Sequence, residues 1–428
     1  MARSARVKRG HAGEAEVTDL AATDTGRVAF QHANFRRVVA ARFLGQAAGE
    51  MQAVAVGWQI YAITHRPLDL GLVGLALFAP GVLLFLVAGH TADRFPRERI
   101  LQFCFAGFAL VSAALAALSW NGLSEVWPIY AVLVVHGTVR AFTTPAAQAL
   151  IPLTVPAEHF PNAVAWASSA FQGAMVLGPA IGGAVYGATG SPVPVYVAAS
   201  ASCLCAAALA SMLRIGRAGM AMAQTHFLDG LRYLWRAKIT LGAVTLDLFA
   251  VLLGGAVALL PIYARDILKV GELGLGILRG APSAGAVTMA IVMAHWPLRR
   301  RAGATMLWCV AGFGVFTVVF ALSRNVVLSM AALVIVGACD MVSVIIRHTL
   351  VQMWTPNEMR GRVSAVNMVF IGASNEVGQF ESGLTAQWFG TVPAAVLGGI
   401  GTIIVVAVWA GLFPGLRRVD QLQPKTKT

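Results

Sequence analysis

Charge is what this chain has little of: 12% of its 428 residues are Asp, Glu, Lys or Arg, against about 25% in an ordinary soluble domain. With 57% hydrophobic residues and a mean hydropathy of +0.71, too little polar surface remains to keep one or two domains of this length in water. The composition reads as a polytopic membrane protein. Cysteine is scarce as well. Cys104, Cys203, Cys205, Cys309 and Cys339 are odd in number, lie in apolar runs and form no CxxC pair, which argues against a disulfide framework or a metal site. No P-loop, HExxH or GxSxG stands anywhere, so ATP hydrolysis and the common hydrolase chemistries are not expected, and neither is a cofactor or a metal. Residues 1–30 carry Arg3, Arg6, Lys8 and Arg9 without an apolar stretch behind them, unlike a secretory signal.

What is present is a succession of apolar runs, each long enough to cross about 30 Å of hydrocarbon. They fall at 36–63, 69–90, 100–120, 127–149, 163–188, 193–213, 239–263, 273–296, 303–322, 326–350, 363–389 and 392–414. The fold class is therefore all-α, with twelve transmembrane helices. The one long connection divides them six and six, giving a tail (1–32) expected to be disordered, a first six-helix bundle (33–213), a linker (214–238), a second bundle (239–415) and a second tail (416–428).

The formal charge of +13 suggests nucleic acid only if it forms a patch on a soluble face. Here it is topological. Arg94, Arg97, Arg99, Arg214, Arg217, Arg232, Arg236, Lys238, Arg299, Arg300, Arg301, Arg360 and Arg362 fall in alternate loops, while the other side or its edge holds Arg66, Arg265, Lys269, Arg279 and Arg324. By the positive-inside rule both termini are cytoplasmic and no nucleic acid is needed; the basic tail is suited to anionic lipid headgroups.

The chain also resembles itself. A shift of 200 residues brings Gly137, Leu150, Pro156, Glu158 and Ala165 onto Gly337, Leu350, Pro356, Glu358 and Ala365, and Gly178, Gly183 and Gly190 onto Gly378, Gly383 and Gly390. A shift of 202 brings Ala79-Pro80 onto Ala281-Pro282, and Arg97 and Arg99 onto Arg299 and Arg301. Six spans separate the copies. Because six is even, the two halves run the same way through the membrane, as two pseudo-symmetric bundles.

Two motifs stand out against the apolar background. One is Gly89-His-Thr-Ala-Asp93-Arg94-Phe-Pro-Arg97-Glu-Arg99, and the other is Gly173 to Gly183 in span five, containing Gly178, Pro179 and Gly182. The first resembles the signature between spans two and three of the major facilitator superfamily, with Pro96 where Gly is often found and Glu98 interrupting the basic pair. The second is similar to the G-P-x-x-G-G signature of its drug:proton antiporter branches, and the resemblance extends over roughly residues 33–415 to macrolide efflux proteins and enterobactin-type siderophore exporters. It implies a proton-coupled exporter of a hydrophobic or amphiphilic molecule in a bacterial plasma membrane, acting as a monomer by alternating access. Uptake, lysolipid translocation and a non-transporting sensor are the competing readings.

On physical grounds Asp93 near the end of span two can pair with arginines or a helix N-terminus in one state and release them in another. A topogenic loop would need only Arg97 and Arg99. In the second half His295 stands where the 202 shift would put an acid, so any such latch is lopsided. Gly178-Pro179 removes an intrahelical hydrogen bond and invites a bend, while the neighbouring glycines permit close helix packing.

Ionisable side chains within a span are costly, so each is a functional candidate. They are Glu50, Arg140, Asp247, Asp340 and Glu376. Arg42, Gln46 and Glu50 recur at steps of four in span one, as do His136, Arg140, Thr144 and Gln148 in span four; Asn375, Glu376 and Gln379 cluster in span eleven. Residues four apart share a helix face, so these stripes are expected to wall a polar cleft. Glu50 is the first candidate for proton coupling, with Arg140 as its modulating cation, and Arg140 could also meet Asp340, its counterpart under the 200 shift. Arg347 and Glu381 are expected to anchor span ends, and Trp58, Trp120, Trp127, Trp388 and Tyr263 to lie in aromatic belts.

Overall fold

In a computed structural model the described residues are 25–214, 227–298 and 300–421. Among them twelve helical spans follow the expected order: α1 (Ala33–Thr64), α2 (Pro67–Leu83, continued by Phe85–Arg94), α3 (Arg97–Trp120), α4 (Trp127–Leu150), α5 (Phe160–Thr189), α6 (Val193–Ser211), α7 (Lys238–Gly254, extended by short turns to Ile267), α8 (Gly271–His295), α9 (Ala302–Leu322), α10 (Val326–Trp354), α11 (Asn357–Phe389) and α12 (Thr391–Leu412). Eight of these are long and apolar enough to cross a membrane by length and composition alone. Those that fall short are α1, α2, α4 and α11. Three of them carry the polar stripes, and α2 is interrupted at Leu84 into pieces of 17 and 10 residues, each short of the roughly 20 that a span needs.

The ends of the chain depart from the expected tails. Residues 25–31 form a short helical turn that docks on α5, where Trp166 Nε1 donates to the Gly26 carbonyl at 2.8 Å and Phe30 meets Trp166 edge to face. Only residues 1–24 of the tail lie outside the described residues. After α12, Leu416 and Val419 are buried, and the Gly303 N–H donates to the Val419 carbonyl at 3.0 Å. A helix in the linker, Phe227–Arg236, lies along α11, with Arg362 Nη1 donating to Asp229 Oδ2 at 3.3 Å.

The internal repeat is expressed in packing. A methyl group on Gly178 would stand 2.8 Å from the Ala47 carbonyl oxygen of α1, and one on Gly378 2.9 Å from the Leu252 carbonyl oxygen of α7, the counterpart of α1. Gly137 of α4 abuts Leu77 of α2, and Gly337 of α10 abuts Pro282 of α8. Where lipid removes the usual hydrophobic drive, such backbone approaches are what let helices associate.

The buried apolar residues do not form one mass. In the half of the molecule away from the chain termini, a single cluster joins Met51, Ile60, Leu115 and Tyr196 of the first bundle to Leu259, Tyr263, Leu278 and Phe320 of the second. In the terminal half the clusters are separate, with Val38, Leu101, Leu150 and Leu213 on one side and Ala243, Met306, Ile346 and Leu416 on the other. The bundles are therefore joined at one end and parted at the other. Outward, Leu83, Phe103, Leu110 and Trp308 are more than two-thirds exposed, an apolar surface suited to lipid rather than water.

Candidate functional site: a mid-depth cleft between the bundles

Two seams hold the joined end together. In one, Gly183 of α5 crosses Gly276 of α8, so that a methyl on Gly183 would lie 2.6 Å from the Glu272 carbonyl oxygen. In the other, α2 crosses α11, and a methyl on Gly74 would lie 2.7 Å from the Glu376 carbonyl oxygen. Gly182 fits against Met51 of α1 within the first bundle, while Gly173 has only an ordinary contact with Phe43. Thus the span-five motif acts visibly as a packing surface, on α1 through Gly178 and Gly182 and on α8 through Gly183. Gly71 and Gly74, which carry the second seam, were not singled out by sequence. The available signal was the 202 shift, which pairs Gly74 with Gly276.

Beyond the seams, at mid-depth, two ion pairs bridge the bundles. Arg140 Nη1 of α4 lies 2.7 Å from Glu376 Oε1 of α11, and Arg279 Nε of α8 lies 3.5 Å from Glu50 Oε2 of α1. Each carboxylate has a second donor from its own helix: Gln46 Nε2 reaches Glu50 Oε1 at 3.1 Å, and Gln379 Nε2 reaches Glu376 Oε2 at 3.2 Å. The two pairs differ in exposure. The Arg140 side chain is 45% exposed while Glu376 is 7% exposed, so the guanidinium edges the cleft and the carboxylate lies in its wall.

These partners differ from those the spacing suggested. Arg140 meets Glu376 and not Asp340 in this conformation, and the cation beside Glu50 is Arg279, which sequence placed at the outer edge of span eight. Arg279 is the ninth residue of α8, well inside the span. A charge one-third of the way along an apolar run was the signal.

The remaining residues sort by position. Arg42 is half-buried two turns from Glu50, and Asn375 is exposed, its Nδ2 donating to the Ile371 carbonyl. His136 faces its own bundle: its Nδ1 lies 3.2 Å from Gln52 Nε2, Ser112 donates to Gln52 Oε1 at 2.7 Å, and Phe108 covers the ring. Asp247 is buried against Arg347. Arg347, expected to anchor a span end, is instead 2% exposed, because a carboxylate on the neighbouring helix takes its charge. Glu381 is half-buried and accepts from Thr385 at 2.8 Å. Tyr263 is no belt residue, being fully buried with its hydroxyl donating to the Ala321 carbonyl at 2.9 Å, whereas Trp120, Trp127 and Trp388 are exposed at the ends.

In the motif at the end of α2 and the start of α3, Gly89 is exposed, with open space where a side chain would stand, and Arg94 and Arg99 are exposed. Arg97 is half-buried, and the Asp93 side chain lies outside the described residues. At the joined end the Tyr61 hydroxyl of α1 donates to Asp266 of α7, and the Arg265 guanidinium sits 5.9 Å from the Tyr61 ring centroid, a cation–π distance. Asp266 and Arg265 belong to a π-helical turn, Tyr263–Ile267, an uncommon geometry that is frequent at functional sites. No group of His, Cys, Asp and Glu suited to a metal ion occurs among the described residues.

Two six-helix bundles related by a parallel repeat, joined at one end around a mid-depth polar cleft, define a transporter of the major facilitator type. The chain belongs to the transmembrane secretion effector family of that superfamily, whose model matches residues 25–427. It is 25% identical over 401 residues to the enterobactin exporter EntS of Shigella boydii serotype 4, covering 92% of this chain and 95% of that one. It is 27% identical over 394 residues to the multidrug efflux pump Tap of Mycolicibacterium fortuitum, covering 86% and 92%. Among solved structures it is similar to a bacterial homologue of the human lysosomal transporter Spinster in an inward-facing, unoccupied conformation (TM-score 0.69, 13% identity, 90% and 96% covered). A peptide transporter, POT, gives a TM-score of 0.74 at 10% identity, with 92% and 96% covered. The chain is thus a multi-pass membrane transporter with efflux relatives.

Proposed function

We propose that this protein exports a hydrophobic or amphiphilic small molecule by proton antiport and alternating access, working as a monomer in a bacterial plasma membrane with both termini in the cytoplasm. The observation that carries the reading is the arrangement of the bundles: two glycine seams and one shared apolar core at the far end, two ion pairs at mid-depth, and separate cores at the terminal end. If the termini are cytoplasmic, this is the inward-open state, ready to load cargo from the cytoplasm or the inner leaflet. Opening the other side requires the seams to part, and the cleft's charges must then be satisfied by new partners, by cargo or by protons.

The exporter reading draws on the relatives, one called an enterobactin exporter and another a multidrug efflux pump. The cleft's charges are already paired with one another, which suits an amphiphile better than a phosphate. Proton coupling draws on the acids in the spans, because a carboxylate that alternates between an arginine partner and an apolar wall alternately releases and holds a proton.

The test is a proteoliposome assay following lumenal pH while ethidium, a macrolide or a catecholate is added. Wild-type protein is expected to move protons in response to cargo, and Glu50→Gln, which removes one partner of a pair that bridges the bundles, to weaken that response. Cargo movement with no proton flux in the wild type would overturn antiport, and movement of none of the three by folded protein would favour the lysolipid reading, tested by adding lysophospholipid instead.

A further inference from the structure

A second set of charges lies between helices of the second bundle, formed by residues other than the pairs that bridge the bundles. Asp340, Ser343 and Arg347 follow one another at steps of three and four on α10, hence on one face, and Asp247 of α7 meets them there. Asp247 pairs with Arg347, both almost wholly buried. Asp247, Asp340 and Ser343 together line a cavity of about 10 Å3, with Ala250, Val251, Val310 and Phe313 on its other sides. That volume is near the least that holds one water. Ser343 is 1% exposed, and its Oγ, like Arg347 Nε, has no hydrogen-bond partner, although buried hydroxyls are almost always paired.

Charge counting shows what the cavity needs. One guanidinium faces two carboxylates, so with both ionised an uncompensated negative charge sits among apolar side chains, which is costly. One proton makes the set neutral, and one water in the cavity gives Ser343 and the two acids a shared partner. The other titratable groups facing this set are Cys339 and His348 on α10 and, beyond Cys339, Cys309 on α9. Of these only His348 could take up a proton in place of the carboxylates, and it stands beside the Arg347 guanidinium, where a second positive charge is repelled.

We infer that Asp340 is a proton-binding site, served by Asp247, Arg347 and one water held on Ser343, and distinct from the Arg140–Glu376 and Arg279–Glu50 pairs that bridge the bundles. Asp247 is committed to Arg347, which leaves Asp340, half-buried rather than buried, as the acid that exchanges a proton with water: an O–H bond of a hydronium ion on one side breaks as one forms on the carboxylate, and that bond then breaks as the proton passes to a water on the other side. The inference rests on the proton-coupled reading and deepens it, by moving the proton site away from Glu50 and Glu376.

Infrared difference spectroscopy of purified, cargo-free protein tests it. A carboxylic-acid C=O band that titrates with pH is expected in the wild type, lost in Asp340→Asn and kept in Glu50→Gln and Glu376→Gln. Ser343→Ala, which leaves every charge in place, is expected to shift that band. The absence of a titrating band, its survival in Asp340→Asn, or an unshifted band in Ser343→Ala overturns the site. In proteoliposomes given ethidium, cargo-driven proton flux is expected in the wild type and lost in Asp340→Asn; flux kept in that variant also overturns the site. Because the band is measured without cargo, a wild type that moves no ethidium tells against the exporter reading alone, and the site is then decided by the band.

Discussion

Glu50 and Arg279 show what a single pair across the bundles does. Each side chain is mostly but not wholly buried, at 15% and 23% exposed, so removing one partner leaves the other charged in a wall with little water. Arg279→Leu is expected to destabilise the closed-seam state by roughly 1–3 kcal/mol, less than the 3–5 kcal/mol of a fully buried pair. The double variant Arg279→Leu with Glu50→Gln, which removes both charges, should recover part of that loss. Thermal unfolding in detergent measures both, and a double variant no more stable than the sum of the singles would mean the pair is not coupled. Arg140 is nearly half exposed, so Arg140→Gln should change stability less and cargo-driven flux more. Its carboxylate partner, left in the wall with Gln379, is the group that feels the loss.

At the scale of elements, the far end is held by a polar latch and by glycine. Tyr61→Phe removes the hydrogen bond to Asp266, a bond to a charged group worth about 1.5–3 kcal/mol at most, and so is expected to raise the population open at that end by up to roughly tenfold to a hundredfold. Spin labels on Arg66→Cys and Arg324→Cys, both exposed there and on opposite bundles, should report a longer distance; an unchanged distribution would mean the latch contributes nothing. Gly183→Leu acts more bluntly, since no side chain fits between Gly183 and the α8 backbone, and the same labels should then lose the short distance. The apolar spans and the repeat were legible before any coordinates, because hydrophobic length and register are local. The break in α2 and the docking of residues 25–31 on α5 were not: Pro80 is no different in sequence from Pro179 and Pro282, which sit inside unbroken helices, and the docking is a contact with Trp166 more than 130 residues away in the chain.

For the molecule as a whole, orientation is the expectation that the charge bias makes. A fluorescent protein fused after residue 428 should fluoresce and alkaline phosphatase at the same place should be inactive; the opposite result would reverse the assignment of the open end to the cytoplasm. The sequence by itself determined the class of protein, twelve spans in two like halves, and, Arg279 and Arg347 apart, which ionisable residues sit well inside the spans, because a bilayer makes length, apolarity and each charge conspicuous. Only the tertiary structure decided who meets whom. Arg140 and Asp340 are equivalents under the repeat, but symmetry makes positions alike without making them neighbours, and crossing angle and depth gave Arg140 to Glu376, Glu50 to Arg279 and Arg347 to Asp247. The same geometry, invisible in any one helix, closed one end of the molecule and parted the other.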